Sequence, residues 1–129
     1  MSDLTAVNGT VIHIDDDSVT RVSGPYAHDP ADRAYVAGPQ PAPIPVKGDA
    51  AAIVAGLSPS TPLAQLTRPD DKPVWLKGSA VSAVRKSLPG DAGIGETVGA
   101  VLTVAGEHQA VIEDVALARK IINAHGGHI

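Results

Sequence analysis

The sequence predicts a β-rich α+β chain: a tandem duplication of a small ββ-loop-ββα unit, packed as one compact body, with the first copy over residues 1–62 and the second over 63–129. An internal repeat, an aliphatic composition and a regular run of turn signals carry that expectation. A shift of 62 places Leu66-Thr67 on Leu4-Thr5, Val74 on Ile12, Leu76 on Ile14, Val81 on Val19, Ser82 on Thr20 and Val84 on Val22. A shift of 68 places Val104-Ala105-Gly106 on Val36-Ala37-Gly38, Ile112 on Ile44, Ala118 on Ala50 and Ile121-Ile122 on Ile53-Val54, with six extra residues in the Ser87 to Gly99 loop. The chain has no Phe, one Trp and two Tyr, so its core must be filled by Val, Ile, Leu and Ala, which bury less area per residue than rings. Copies of about 60 residues are individually marginal, which points to packing against each other or against a neighbour.

In the first copy, Leu4 to Val7, Asn8-Gly9 and Thr10 to Ile14 spell a hairpin, because Asn-Gly accepts the positive φ angles of a two-residue type I′ turn. Alternation turns Ile12 and Ile14 to one face and His13 to the other, as an exposed strand residue. Asp15-Asp16-Asp17-Ser18 reads as a turn. A calcium loop starting at Asp15 needs Gly sixth and Glu twelfth, where Thr20 and Tyr26 stand. Val19 and Val22 form a short buried strand, and Ser23 to Pro30 is loop. After Tyr35-Val36, prolines at 39, 41, 43 and 45 remove every second backbone donor and hold the segment near polyproline II. It is therefore an edge strand or a rigid arm reaching a neighbouring subunit. Asp49 caps a short helix with Ala50, Ile53, Val54 and Leu57 on one stripe, and Ser58 to Pro62 ends it.

The second copy opens at Leu66-Thr67, turns through Pro69-Asp70-Asp71 and runs into Val74-Trp75-Leu76. Trp75 lies opposite the two aliphatic residues, either as a contact residue of the kind enriched at interface hot spots or packed under the Ser87 to Gly99 loop. Gly93-Ile94-Gly95 to Gly99 lacks the strand-before, helix-after setting of a dinucleotide fingerprint. Ala100 to Val104, a Gly turn, Val111-Ile112 and a helix capped at Asp114 complete the unit. Gly126-Gly127 closes that helix, and His125 and His128 read as part of a frayed tail rather than as metal ligands.

The chemistry this chain excludes is broad. Its net charge of −4 and scattered Lys and Arg argue against a nucleic-acid partner, since phosphate binding needs clustered cations; Arg85-Lys86 and Arg119-Lys120 read as solvated pairs. There is no cysteine, hence no disulfide or thiolate chemistry. No motif of a nucleophile, phosphate cradle or paired metal ligands stands in its required context, so no catalytic residue, metal or cofactor is expected. No run reaches the roughly 20 apolar residues of a membrane span, and Met1-Ser2-Asp3 does not open a signal peptide. The expectation is a protein without a membrane partner, cytoplasmic where it is made.

The apolar spacing of Val74-Trp75-Leu76, Val81, Val84, Leu102 to Gly106, Val111 to Asp114 and Ile121-Ile122, with the leading Val7-Asn8-Gly9 turn, resembles the small FlbD/SwrD-like flagellar protein family. The resemblance implies a small non-enzymatic protein and, as one reading, a cytoplasmic regulator of flagellar assembly. The residues themselves point first to a structural or assembly protein that acts through protein contacts. It would form a homo-oligomer or part of a larger particle, such as the decoration or head/tail component of a phage virion. Pro39, Pro41, Pro43, Pro45 and Trp75 are its candidate contact residues.

Overall fold

The computed structural model of the protein describes residues 2–92 and 97–129. It is a β-rich α+β chain of ten strands and two α-helices among the described residues, divided into two units, Met1–Pro62 and Leu63–Ile129. The fingerprint-like Gly93 to Glu96 lies outside the described residues.

The first unit runs β1 (Ser2–Thr5), β2 (Val11–Ile14), a 3-10 turn (Asp16–Ser18), β3 (Arg21–Ser23), β4 (Arg33–Ala37), β5 (Ile44–Lys47) and α1 (Ala50–Gly56). Strands β1 and β2 form an antiparallel hairpin, and β3, β4 and β5 follow as an antiparallel meander. An antiparallel bridge from Ala6 to Val46 and a hydrogen bond from the Val7 N–H to the Pro45 carbonyl tie the hairpin to β5. Val22, Ala34, Val36, Ile44 and Val46 are buried on the inner face of the meander, as strand alternation requires. Helix α1 packs on β3 and β4; the Asp49 carboxylate accepts the Ala52 N–H at its start, and Leu57 is buried at its end.

The second unit repeats the order: β6 (Ala64–Thr67), β7 (Pro73–Leu76), a 3-10 turn (Gly78–Ala80), β8 (Val81–Lys86), β9 (Ala100–Val104), β10 (Glu107–Val111) and α2 (Val115–Ala124). Its hairpin pairs Ala64 with Leu76, Gln65 with Trp75, Leu66 with Val74 and Thr67 with Pro73, which is the β1–β2 register displaced by 62 at every rung. The Ile112 N–H donates to the Thr67 carbonyl and ties the hairpin to the end of the meander, as in the first unit. The core is Leu66, Val74, Leu76, Val81, Leu102, Val104, Val111 and Ile122 with small Ala64, Ala100 and Ala118 between them, an all-aliphatic set. Helix α2 lies on β6 and β8, its first turn held by the Asp114 carboxylate at 2.8 Å from the Leu117 N–H.

Several expectations are refined. Each unit has five strands, because the segments at Leu4 and Leu66 are strands in their own right. Val19 and Val81 do hold equivalent buried places, each closing a 3-10 turn. The offset of 68 does not hold. Pairing Val22 with Val36 and Val84 with Leu102 gives 66 along β4 and β9, and the caps Asp49 and Asp114 give 65. Counted from its cap, Ile53 then answers to Ala118 rather than Ile121. Apolar spacing slips by one helical turn without penalty, whereas a cap cannot.

Turn chemistry also differs. Only Gly9 of Asn8-Gly9 takes positive φ, at +90°, because the Asn8 side chain accepts the Thr10 N–H at 3.0 Å; Ala6 and Thr10 close a longer loop around it. The two-residue turn with both φ values positive falls instead at Ala105-Gly106, with φ of 50° and 86°, joining Val104 directly to Glu107. The proline segment is not a straight arm. Gly38 to Ala42 bends into a hairpin loop between β4 and β5, and only Pro45 enters β5, which pairs with β4.

Candidate contact surface

The outer face of the β3–β4–β5 meander carries the one concentration of ring chemistry in the first unit. Alternation places Arg21 and Ser23 of β3, Tyr35 and Ala37 of β4 and Pro45 of β5 opposite the buried aliphatic face, and register sets Ser23 against Tyr35, Arg21 against Ala37 and Tyr35 against Pro45. Above this face the loop after β3 brings Tyr26 to Tyr35, with ring centroids 5.5 Å apart and planes tilted by 47°. Pro43 of the hairpin loop closes the far wall. The result is a cleft of about 320 Å³ lined by Arg21, Ser23, Tyr26, Tyr35, Ala37 and Pro43.

Asp29 fixes the tyrosine pair. Its Oδ2 accepts the Tyr26 N–H and the Tyr35 hydroxyl, both at 2.9 Å, and its Oδ1 lies 3.6 Å from Arg33. The Tyr26 N–H first, and then the Tyr35 hydroxyl, hold the carboxyl below its usual range, so it stays an acceptor at neutral pH. Ser23 is 2% exposed on the cleft floor while Tyr26 remains 49% exposed at the rim. Large, rigid rings beside hydrogen-bonding groups make this cleft a candidate contact surface, since such groups are enriched where proteins meet.

The sequence-level candidates separate accordingly. Pro43 lines the cleft and Pro41 is exposed beside it, whereas Pro39 and Pro45 are half-buried. Trp75 is 8% exposed, so it is first of all a packing residue of β7, and its substitution is expected to cost stability before contact. Tyr26 and Tyr35 escaped the sequence reading. Their signal was rarity, since they are the only tyrosines of an aromatic-poor chain, but no spacing relates a loop residue to a strand residue nine positions on.

The acidic and histidine groups are occupied with the fold. Asp15 caps the first 3-10 turn. Asp16 accepts the Ser2 hydroxyl at 2.9 Å and the Ser58 N–H at 2.7 Å, and Asp17 accepts the N–H and hydroxyl of Ser60 at 2.6 and 2.8 Å. The triplet thus anchors the chain after α1. His13 meets Asp3 across the β1–β2 pair at 2.5 Å, a partner the linear spacing did not disclose. The chain's last residues are not frayed: Arg119 and the Asn123 amide donate to the Ile129 carbonyl, Asn123 accepts the Ile129 N–H, and His125 Nδ1 lies 2.7 Å from the Ile121 carbonyl. Among the described residues no three His, Asp or Glu side chains converge as a metal would require, and no helix is long and apolar enough to cross a membrane.

Arg85 is not simply solvated. It grips Asp91 through two hydrogen bonds of 2.8 and 3.1 Å, and the Leu88 N–H donates to the same carboxylate. The Arg85 guanidinium chiefly, then that N–H, holds the Asp91 carboxyl down to about 2. A carboxyl depressed on folding stabilises the fold above its unfolded pKa, near 3.8, and that contribution is lost as pH falls through about 2. Asp91→Asn is therefore expected to lower the thermal midpoint at pH 5 to 7 while converging with the parent chain near pH 2. Parallel melting curves that do not converge in acid would refute the clasp.

Comparison with known protein families, characterised proteins and solved structures finds no match for this chain.

Proposed function

We propose that the protein is a non-enzymatic assembly component that works by contact with other subunits of a larger particle, such as a phage virion. The observation that carries this reading is the Tyr26–Tyr35–Pro43 surface: a folded unit holds its only two tyrosines in a fixed pair and leaves one half exposed, where the hydrophobic effect would otherwise bury it. The carboxylates of the acidic triplet, by contrast, are spent on local structure. The aliphatic core supports the same reading, because small side chains leave little margin over the conformational entropy of folding, about 1 to 2 kcal/mol per residue for backbone, and subunit burial supplies more. The flagellar-regulator alternative shares the contact chemistry and differs in its partner.

The test combines particle fractionation with solution measurements. Extract of the native host is sedimented through a density gradient and probed for this chain, and the purified chain is melted at several concentrations. The expected result is recovery with large particles and a melting midpoint that rises with concentration. A chain confined to the light fractions, whose midpoint does not move, would leave the assembly reading without support.

A further inference from the structure

We infer that the cleft of the first unit receives the Pro39 to Pro43 loop of a second copy of the same chain, in a twofold contact where each copy supplies one cleft and one loop. This rests on the assembly reading and names the partner. Residues 1–62 contain seven Asp and Glu against three Lys and Arg, and residues 63–129 contain seven against seven, so the whole net charge of −4 lies in the first unit. Two such units repel, and they meet at least cost where neither presents a carboxylate to be desolvated. Ala34 to Val46, which holds the loop and one wall of the cleft, contains no charged residue.

A loop with proline at 39, 41 and 43 has carbonyl acceptors but lacks N–H groups at those positions, and its rings are rigid and apolar. The cleft offers the complement, two tyrosine rings set against each other as a surface for prolyl faces. Aromatic surfaces are a recurrent receptor for proline-rich segments because the ligand loses little entropy on binding. Pro43 lines the cleft of its own copy, so loop and cleft lie side by side, and one twofold axis near Pro43 forms both loop-to-cleft pairs at once. A contact of that kind closes on itself as a dimer.

The experiment uses the full chain and two variants at exposed positions, Tyr26→Ala in the cleft and Pro41→Asp in the loop, by sedimentation equilibrium over a wide concentration range. Each variant alone is expected to dimerise at least about tenfold more weakly than the parent. A mixture of the two is expected to form a heterodimer tighter than either variant's homodimer, because one loop-to-cleft pair is then intact. A synthetic peptide of residues 38–46, titrated into the parent chain at low concentration, is expected to change tyrosine fluorescence and to compete with dimerisation. If Tyr26→Ala lowers the melting midpoint, Pro41→Asp and the peptide carry the comparison. Dimers unaffected by either substitution, or a mixture no tighter than its components, would overturn this inference and leave the assembly reading in place. A chain that stays monomeric and ignores the peptide yet travels with particles would do the same; one that stays monomeric, ignores the peptide and is absent from particles overturns both.

Discussion

Replacement of Gly38 by alanine is expected to destabilise the first unit by about 3 kcal/mol or more, the sum of a strained backbone and an overpacked contact. Gly38 has φ of +118°, a region that a residue with a Cβ enters only at a cost. A Cβ built there would lie 2.1 Å from the Ser18 carbonyl oxygen and 2.7 Å from the Thr20 nitrogen, so relief requires moving backbone rather than a side chain. The Thr20 N–H donates to the Ala37 carbonyl just before it, and that hydrogen bond joins the 3-10 turn to the start of the proline loop. The loss should thus reach the tyrosine-lined cleft as well as the core. Urea unfolding of the purified variant, followed by circular dichroism, measures it. A change below about 1 kcal/mol would show that the turn is not held as described.

Truncation of Ile122 to alanine is expected to cost about 2 to 5 kcal/mol, the range for a fully buried aliphatic side chain removed from a close-packed core. Ile122 is 0% exposed, and its carbonyl accepts the N–H groups of His125 and Gly127 that close α2. Its Cγ2 stands where a Cβ on Gly127 would intrude, at 2.4 Å. The side chain therefore seats the helix on the sheet and fixes the path of the residues after it. Leu117→Ala, on the exposed side of the same helix, is the control and should stay within about 0.5 kcal/mol of the parent. Equal losses at the two positions would mean that α2 packs by another face.

The parts of this fold that sequence revealed are those set by local chemistry. Asp49 and Asp114 announced both helix starts, because a capping carboxylate acts within three residues. Ile12, Ile14, Val74 and Leu76 announced hairpins through alternation. What remained hidden depends on tertiary neighbours. The offset between the later halves of the two units is not legible because aliphatic positions satisfy several alignments, and only the cross-strand partners Val84 and Leu102 choose among them. The proline segment declared its missing donors, but not the bend that Gly38 permits. Trp75 stays open between contact and packing, since alternation opposes it to Val74 and Leu76 without telling whether the second face of β7 is covered. The candidate surface is half legible, since Pro43 stands out in the sequence while the tyrosine pair beside it depends on Asp29 drawing a loop onto a strand.

The distribution of rings gives the two units separate optical signatures. Both tyrosines belong to the first unit, at 5.5 Å from each other, and the single tryptophan belongs to the second, in β7. Selective excitation of the indole reads the second unit without contribution from the first, and the phenol bands of the near-ultraviolet spectrum read the first. Each unit thus carries an intrinsic chromophore. Unfolding followed at both bands reports, without any label, whether the two halves of the chain melt in one step or in two.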